Sequence, residues 1–145
     1  MTRRRAAFAE HPFELLFGLI AVLGGSAAAL GIVSPTSINA VLPLPVVRAW
    51  GALQLLAGAL VLVGILISYG RPRATVLGWR IERAGLWPLA ATLIVYGVVA
   101  LAYSGMRALY PVAFYLAFAA ACIARARAVA RLEQAVRAAG RRDGR

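Results

Sequence analysis

The stretch VVRAWGALQLLAGALVLVGILISY, residues 46–69, decides the class of fold. It carries a single ion, Arg48, near its start, and one large uncharged polar side chain, Gln54, a turn and a half deeper. A bilayer core about 30 Å thick is crossed by roughly 20 apolar residues in a helix. Residues 46–69 meet that length. Inside hydrocarbon the segment must be helical, because an open strand leaves its N–H and C=O groups without partners. Three further stretches read the same way: 13–33, with Glu14 at its start, the uncharged 85–104, and 108–124. The sequence therefore predicts an all-α integral membrane protein, with four transmembrane helices in an antiparallel bundle.

Composition supports lipid as the solvent. Of 145 residues, 62% are hydrophobic and 14% charged, and the mean hydropathy is +0.79. A soluble domain runs nearer half apolar and a quarter charged. All 16 basic residues are arginine, against five acids, for a net charge of +11. This balance excludes an acidic disordered chain, and one cysteine excludes a disulfide-stapled secreted domain. No Ser/Gly linker divides the chain, so residues 1–124 read as the membrane domain and 125–145 as a basic cytoplasmic tail.

Connections between the spans are short. Residues 34–45 are uncharged and hold Pro35, Pro43 and Pro45, residues 70–84 hold Arg71, Arg73, Arg80 and Arg83, and Pro111 suits the first turn of the last helix. With Arg3, Arg4 and Arg5, the middle loop and the tail, 14 of 16 arginines fall on one side, leaving Arg48 and Arg107 for the other. Positive residues in short loops stay cytoplasmic. The expected topology is N-in and C-in, in a bacterial inner membrane. Trp50, Tyr103 and Tyr110 should mark the outer boundary, and Tyr69, Trp79 and Trp87 the inner one. Arg3–Arg5 and Ala27–Ala29 have some look of a signal peptide, but the apolar run is too long and Glu14 sits within it, so the first helix is read as a retained span.

Small residues mark candidate helix contacts: Gly18, Gly24 and Gly25 in the first span, Gly51, Gly58 and Gly64 in the second, and Ala113, Ala117 and Ala121 in the fourth. Such rows let backbones approach within one bundle or between copies of a homo-oligomer. Glu14, Arg48 and Gln54 are the candidates for a polar pathway. The plainer reading has Glu14 anchoring at the headgroups, where its charge suits a helix N-terminus, and Arg48 snorkelling to phosphates. Glu82, between Arg80 and Arg83, reads as a solvated local ion pair, and lone Cys122 as a small apolar residue. Lone His11 offers no metal set, and no phosphate loop, zinc spacing, nucleophile elbow or dinucleotide fingerprint occurs, so neither enzyme activity nor a cofactor is expected.

The tail RARAVARLEQAVRAAGRRDGR, residues 125–145, should continue the last helix, with Glu133 and Arg137 paired four apart and Gly140 as its stop. Val129, Leu132, Val136 and Ala139 would share one face. Arg125, Arg127, Arg131, Arg137, Arg141, Arg142 and Arg145 suit an anionic inner leaflet, and specific nucleic-acid binding is not expected.

The segments His11-Pro12-Phe13-Glu14-Leu15-Leu16-Phe17-Gly18 and Ile81-Glu82-Arg83-Ala84-Gly85-Leu86, followed by Val95-Tyr96, resemble motifs of the small four-helix membrane proteins of phages that infect GC-rich actinobacteria. The arginine-only, alanine-rich composition agrees with GC-rich coding. Some such basic-tailed proteins are similar to holins, which oligomerise and permeabilise the host inner membrane, although familiar holins have fewer spans. The resemblance implies a non-enzymatic, holin-like function and transfers no site residue. A small ion- or multidrug-type transporter using a first-helix glutamate is the alternative, and a membrane anchor for a partner protein is the third.

Overall fold

A computed structural model describes residues 12–32, 42–70 and 74–143. Those residues are helical throughout their elements, and no strand occurs among them. The order is α1 (Pro12–Ala29), α2 (Leu44–Gly70), α3 (Thr75–Ser104), a 3-10 turn (Gly105–Ala108) and α4 (Leu109–Asp143). Three stretches are long and apolar enough to cross a membrane: Pro12–Ala29, Leu44–Gly70 and Thr75–Ala139. The third contains α3, the turn and α4. The predicted positions Arg3–Arg5, His11, Pro35, Arg71, Arg73 and Arg145 lie outside the described residues.

Local chemistry sets the helix ends. α1 closes in a Schellman motif: Ile32 N–H donates to the Ala27 carbonyl at 2.9 Å and Gly31 N–H to Ala28 at 3.1 Å, with Gly31 at φ +71°. α2 opens on the Pro43 carbonyl, which accepts from Val46 and Val47. Between α3 and α4, Gly105 takes φ +56°, a conformation that only glycine adopts without strain, and Pro111 stands in the first turn of α4.

Consecutive helices run antiparallel. A Cβ at Gly25 would lie 2.5 Å from Leu55 N and 2.7 Å from Gly51 O, and one at Gly58 2.8 Å from both Ala21 Cβ and Gly18 O. α1 and α2 thus meet backbone to backbone through glycines. α3 meets α2 in the same way: a Cβ at Gly85 would fall 2.6 Å from Ala57 O, and Gly64 touches the Glu82 backbone. The α3–α4 hairpin is registered by Tyr96 against Tyr115, with ring centroids 4.5 Å apart. α1 reaches α4 through Phe17 and Phe118, centroids 4.2 Å apart. The core is correspondingly fine-grained, with Ala21, Ala57, Val61, Ile65, Leu86, Leu89, Ala119 and Cys122 buried together. Outside, large side chains such as Leu16, Leu23, Leu56, Val98 and Phe114 are exposed. In water that surface would be an untenable apolar patch, whereas lipid solvates it.

Several expectations change. α3 begins at Thr75, so residues 75–84 are helix rather than loop. Gly140 does not stop α4, which continues to Asp143. Glycine ends helices by taking a positive φ, and among the described residues only Gly31 and Gly105 do so. Trp87 lies two residues from Gly85, which faces Ala57, and so stands level with the middle of α2. On α4 the buried row is Val112, Ala119, Cys122, Ala126 and Val129, while Ala113, Ala117 and Ala121 are exposed. Gly24 likewise meets open space. These four residues do not serve packing within the chain; Gly18, Gly25, Gly51, Gly58 and Gly64 do, joined by Gly78 and Gly85.

Candidate functional site

The helix ends carrying most described arginines form one charged pole. Glu14, in the first turn of α1, Glu82, two turns into α3, and Arg125, just past the apolar part of α4, converge there. Arg125 Nε donates to Glu82 Oε1 at 2.7 Å, and Glu14 Oε1 lies 3.7 Å from the same nitrogen. The Glu82 side chain is 1% exposed, Arg125 20% and Glu14 24%. Glu82 is buried because Gly64 brings the α2 backbone directly against it. It is therefore no solvated partner of Arg80 and Arg83. Those two turn instead to Glu133 on α4, at 2.7 and 3.4 Å, and Arg137 pairs with the same carboxylate as its spacing predicts. The Arg80 hydrogen bond, with the charges of Arg137 and Arg80, holds the Glu133 carboxyl below its usual range.

Contiguous cavities run from this pole along the seam between α1 and α4. The first, about 410 Å³, is lined by Glu14 and Arg125 at one end and by Phe13, Phe17, Val61, Leu86, Leu89, Ala117, Phe118 and Ala121 elsewhere. A second, about 340 Å³, shares Phe17, Phe118 and Cys122 with it and includes Gln54. A third, about 280 Å³, continues past Gln54 to Trp50, Thr92 and Tyr96. The seam exists because α1 and α4 meet at bulky phenylalanines, which prop the helices apart, whereas glycines draw the other pairs together.

Of the three polar-pathway candidates, Glu14 and Gln54 line this seam. Arg48 does not: its guanidinium lies against Gly31 at the opposite pole, with Nη2 3.4 Å from where a Cβ would stand. Glu82 and Arg125 were the residues whose joint role sequence reasoning missed. Their signal was the hairpin register, since they lie nearly equidistant along the chain from Gly105. Among the described residues, no cluster of His, Cys, Asp and Glu could hold a metal ion, and no buried side-chain nitrogen or oxygen lacks a partner. Chemically, the site offers two carboxylates and one guanidinium beside an aromatic-walled, apolar space. Comparison with protein-family models, curated proteins and solved structures finds no match to any of them, so the functional reading rests on this geometry.

Proposed function

We propose that the chain is a membrane protein crossing the bilayer four times, with both termini in the bacterial cytoplasm, and that its α1–α4 seam binds a lipophilic cation in the manner of a small multidrug- or ion-type transporter. The orientation follows from Arg80, Arg83, Arg125, Arg127, Arg131 and Arg137 lying toward one pole and Arg48 and Arg107 toward the other. The observation that carries the binding reading is Glu14 lining the 410 Å³ cavity. The Glu14 and Glu82 carboxylates both approach the Arg125 guanidinium there, and the phenylalanine faces of the cavity add cation–π attraction. A carboxylate placed this way marks a cation site in a membrane protein.

The test is titration of the purified protein with tetraphenylphosphonium in detergent. Wild-type protein should bind it, and Glu14→Gln should weaken binding by about tenfold or more, a loss of about 1.4 kcal/mol. Equal affinity of the two proteins would refute the assignment.

The holin-like reading keeps one specific support. Ala113 is exposed and lies outside the seam, where a second copy would meet it. Leucine at Ala113 should then abolish crosslinked oligomers and any depolarisation on expression. The exposed faces of the spans are apolar, so a water-lined opening has no ready-made wall, and for that reason we rank permeabilisation second.

A further inference from the structure

A wide cavity lies at the other pole, at the tip of the α3–α4 hairpin; it shares the walls Tyr96 and Tyr115 with the last seam cavity and none of the charged cluster. It is a cup of about 710 Å³ whose floor is Tyr96, Ala100, Ala108 and Tyr115 and whose rim is Tyr103, Ser104, Arg107 and Pro111. Ala100 and Ala108 are small and buried, which leaves the space open above them. Among the described residues no carboxylate pairs with Arg107: Glu14, Glu82 and Glu133 are all engaged at the opposite pole. The end of α3 and the start of the turn and α4 meet here, so their opposed dipoles offset one another and the Arg107 charge dominates the field.

We propose that this cup is a phosphodiester site, in which Arg107 takes the phosphate of an anionic phospholipid headgroup, assisted by the hydroxyl-bearing residues Tyr103 and Ser104. The chemistry matches on each count. A guanidinium presents a planar fork of donors to phosphate oxygens, hydroxyls can donate to the remaining ones, and a tyrosine-rich wall suits the interface between headgroups and acyl chains. The exposed apolar surface of α4 next to the cup, with Phe114 and Leu116, provides a track for the acyl chains. The inference uses the membrane reading of the helices and is independent of what occupies the seam.

The test is native mass spectrometry of the delipidated full-length protein in detergent, titrated with phosphatidylglycerol. Arg107→Gln should lower lipid retention by about tenfold. Arg48→Gln, which removes the other exposed arginine of the same pole, should leave retention unchanged. Competition by glycerophosphoglycerol, the same phosphodiester without acyl chains, would assign the site to soluble phosphodiesters, and its failure to a lipid headgroup; either result keeps the phosphodiester site. Retention unaffected by Arg107→Gln, or lowered equally by Arg48→Gln, would overturn the proposal. Arg107 is exposed, so an unchanged helical circular dichroism spectrum in the variant separates loss of binding from loss of fold.

Discussion

Replacing Arg125 with methionine tests whether the charged pole holds the bundle together. The substitution keeps much of the side-chain stem and removes the guanidinium. It leaves the Glu82 carboxylate 1% exposed, with the donor that stood 2.7 Å away gone. Breaking one partner out of a buried ion pair costs about 3–5 kcal/mol, because the remaining charge has neither water nor a counter-ion. Glu82→Gln should cost less, about 1–3 kcal/mol, since Arg125 keeps Glu14 at 3.7 Å and the neutral amide needs no counter-charge. The double variant Glu82→Gln with Arg125→Met removes both charges and should recover at least half of the Arg125→Met loss. Equilibrium unfolding by SDS titration from mixed micelles, with far-ultraviolet circular dichroism as the readout, gives all four corners of the cycle. A single Arg125→Met variant within about 0.5 kcal/mol of wild type, or a double variant as unstable as the sum of the singles, would refute the reasoning.

Two adjacent glycines should behave oppositely. Gly25→Leu drives a side chain into the Leu55 and Gly51 backbone and should cost about 1–3 kcal/mol or more in the same unfolding assay, while Gly24→Leu, which meets open space, should stay within about 0.5 kcal/mol. Equal losses would show that the α1–α2 contact is misplaced. The depressed Glu133 carboxyl predicts an acid-sensitive tail: its contribution to docking is complete above the usual carboxylate range and is lost as pH falls through its folded-state value. Arg80 and Arg83 of α3 and Arg137 of α4 are the charges facing it, so amide protection over residues 126–137 should fall on acidification in wild type and show no such pH dependence in Glu133→Gln. A wild-type tail whose protection ignores pH would remove that account.

The apolar lengths and the reversal at Gly105 were legible because bilayer thickness and glycine or proline punctuation act locally. The start of α3 was not. Arg80, Glu82 and Arg83 depress hydropathy over residues 75–84, so a helix whose charged side chains are satisfied by a distant partner reads as a loop. The same locality hid the site. Arg125 and Glu82 are 43 residues apart, and nothing in either neighbourhood names the other. Gly24 and Gly25 show the angular limit of the method: adjacent residues point about 100° apart on a helix, and composition alone does not say which one faces a neighbour. Glu14 was identified as the acid of interest, but its cavity depends on Phe17 and Phe118 holding two helices apart, a property of the assembled bundle.

α4 runs without interruption from Leu109 to Asp143, 35 residues, or about 52 Å at 1.5 Å per residue. Tilted as a rigid rod about the hairpin tip, against the ion pairs that tie it to α3, it would act as a lever arm. A tilt of about 5° at the pivot sweeps its far end through about 4–5 Å, roughly a helical rise of three residues. Prising α1 from α4 at Phe17 and Phe118, which stand less than a third of the way along the arm, would be magnified more than threefold at its basic end. Small events in the seam would thus be read out as larger displacements at the charged pole.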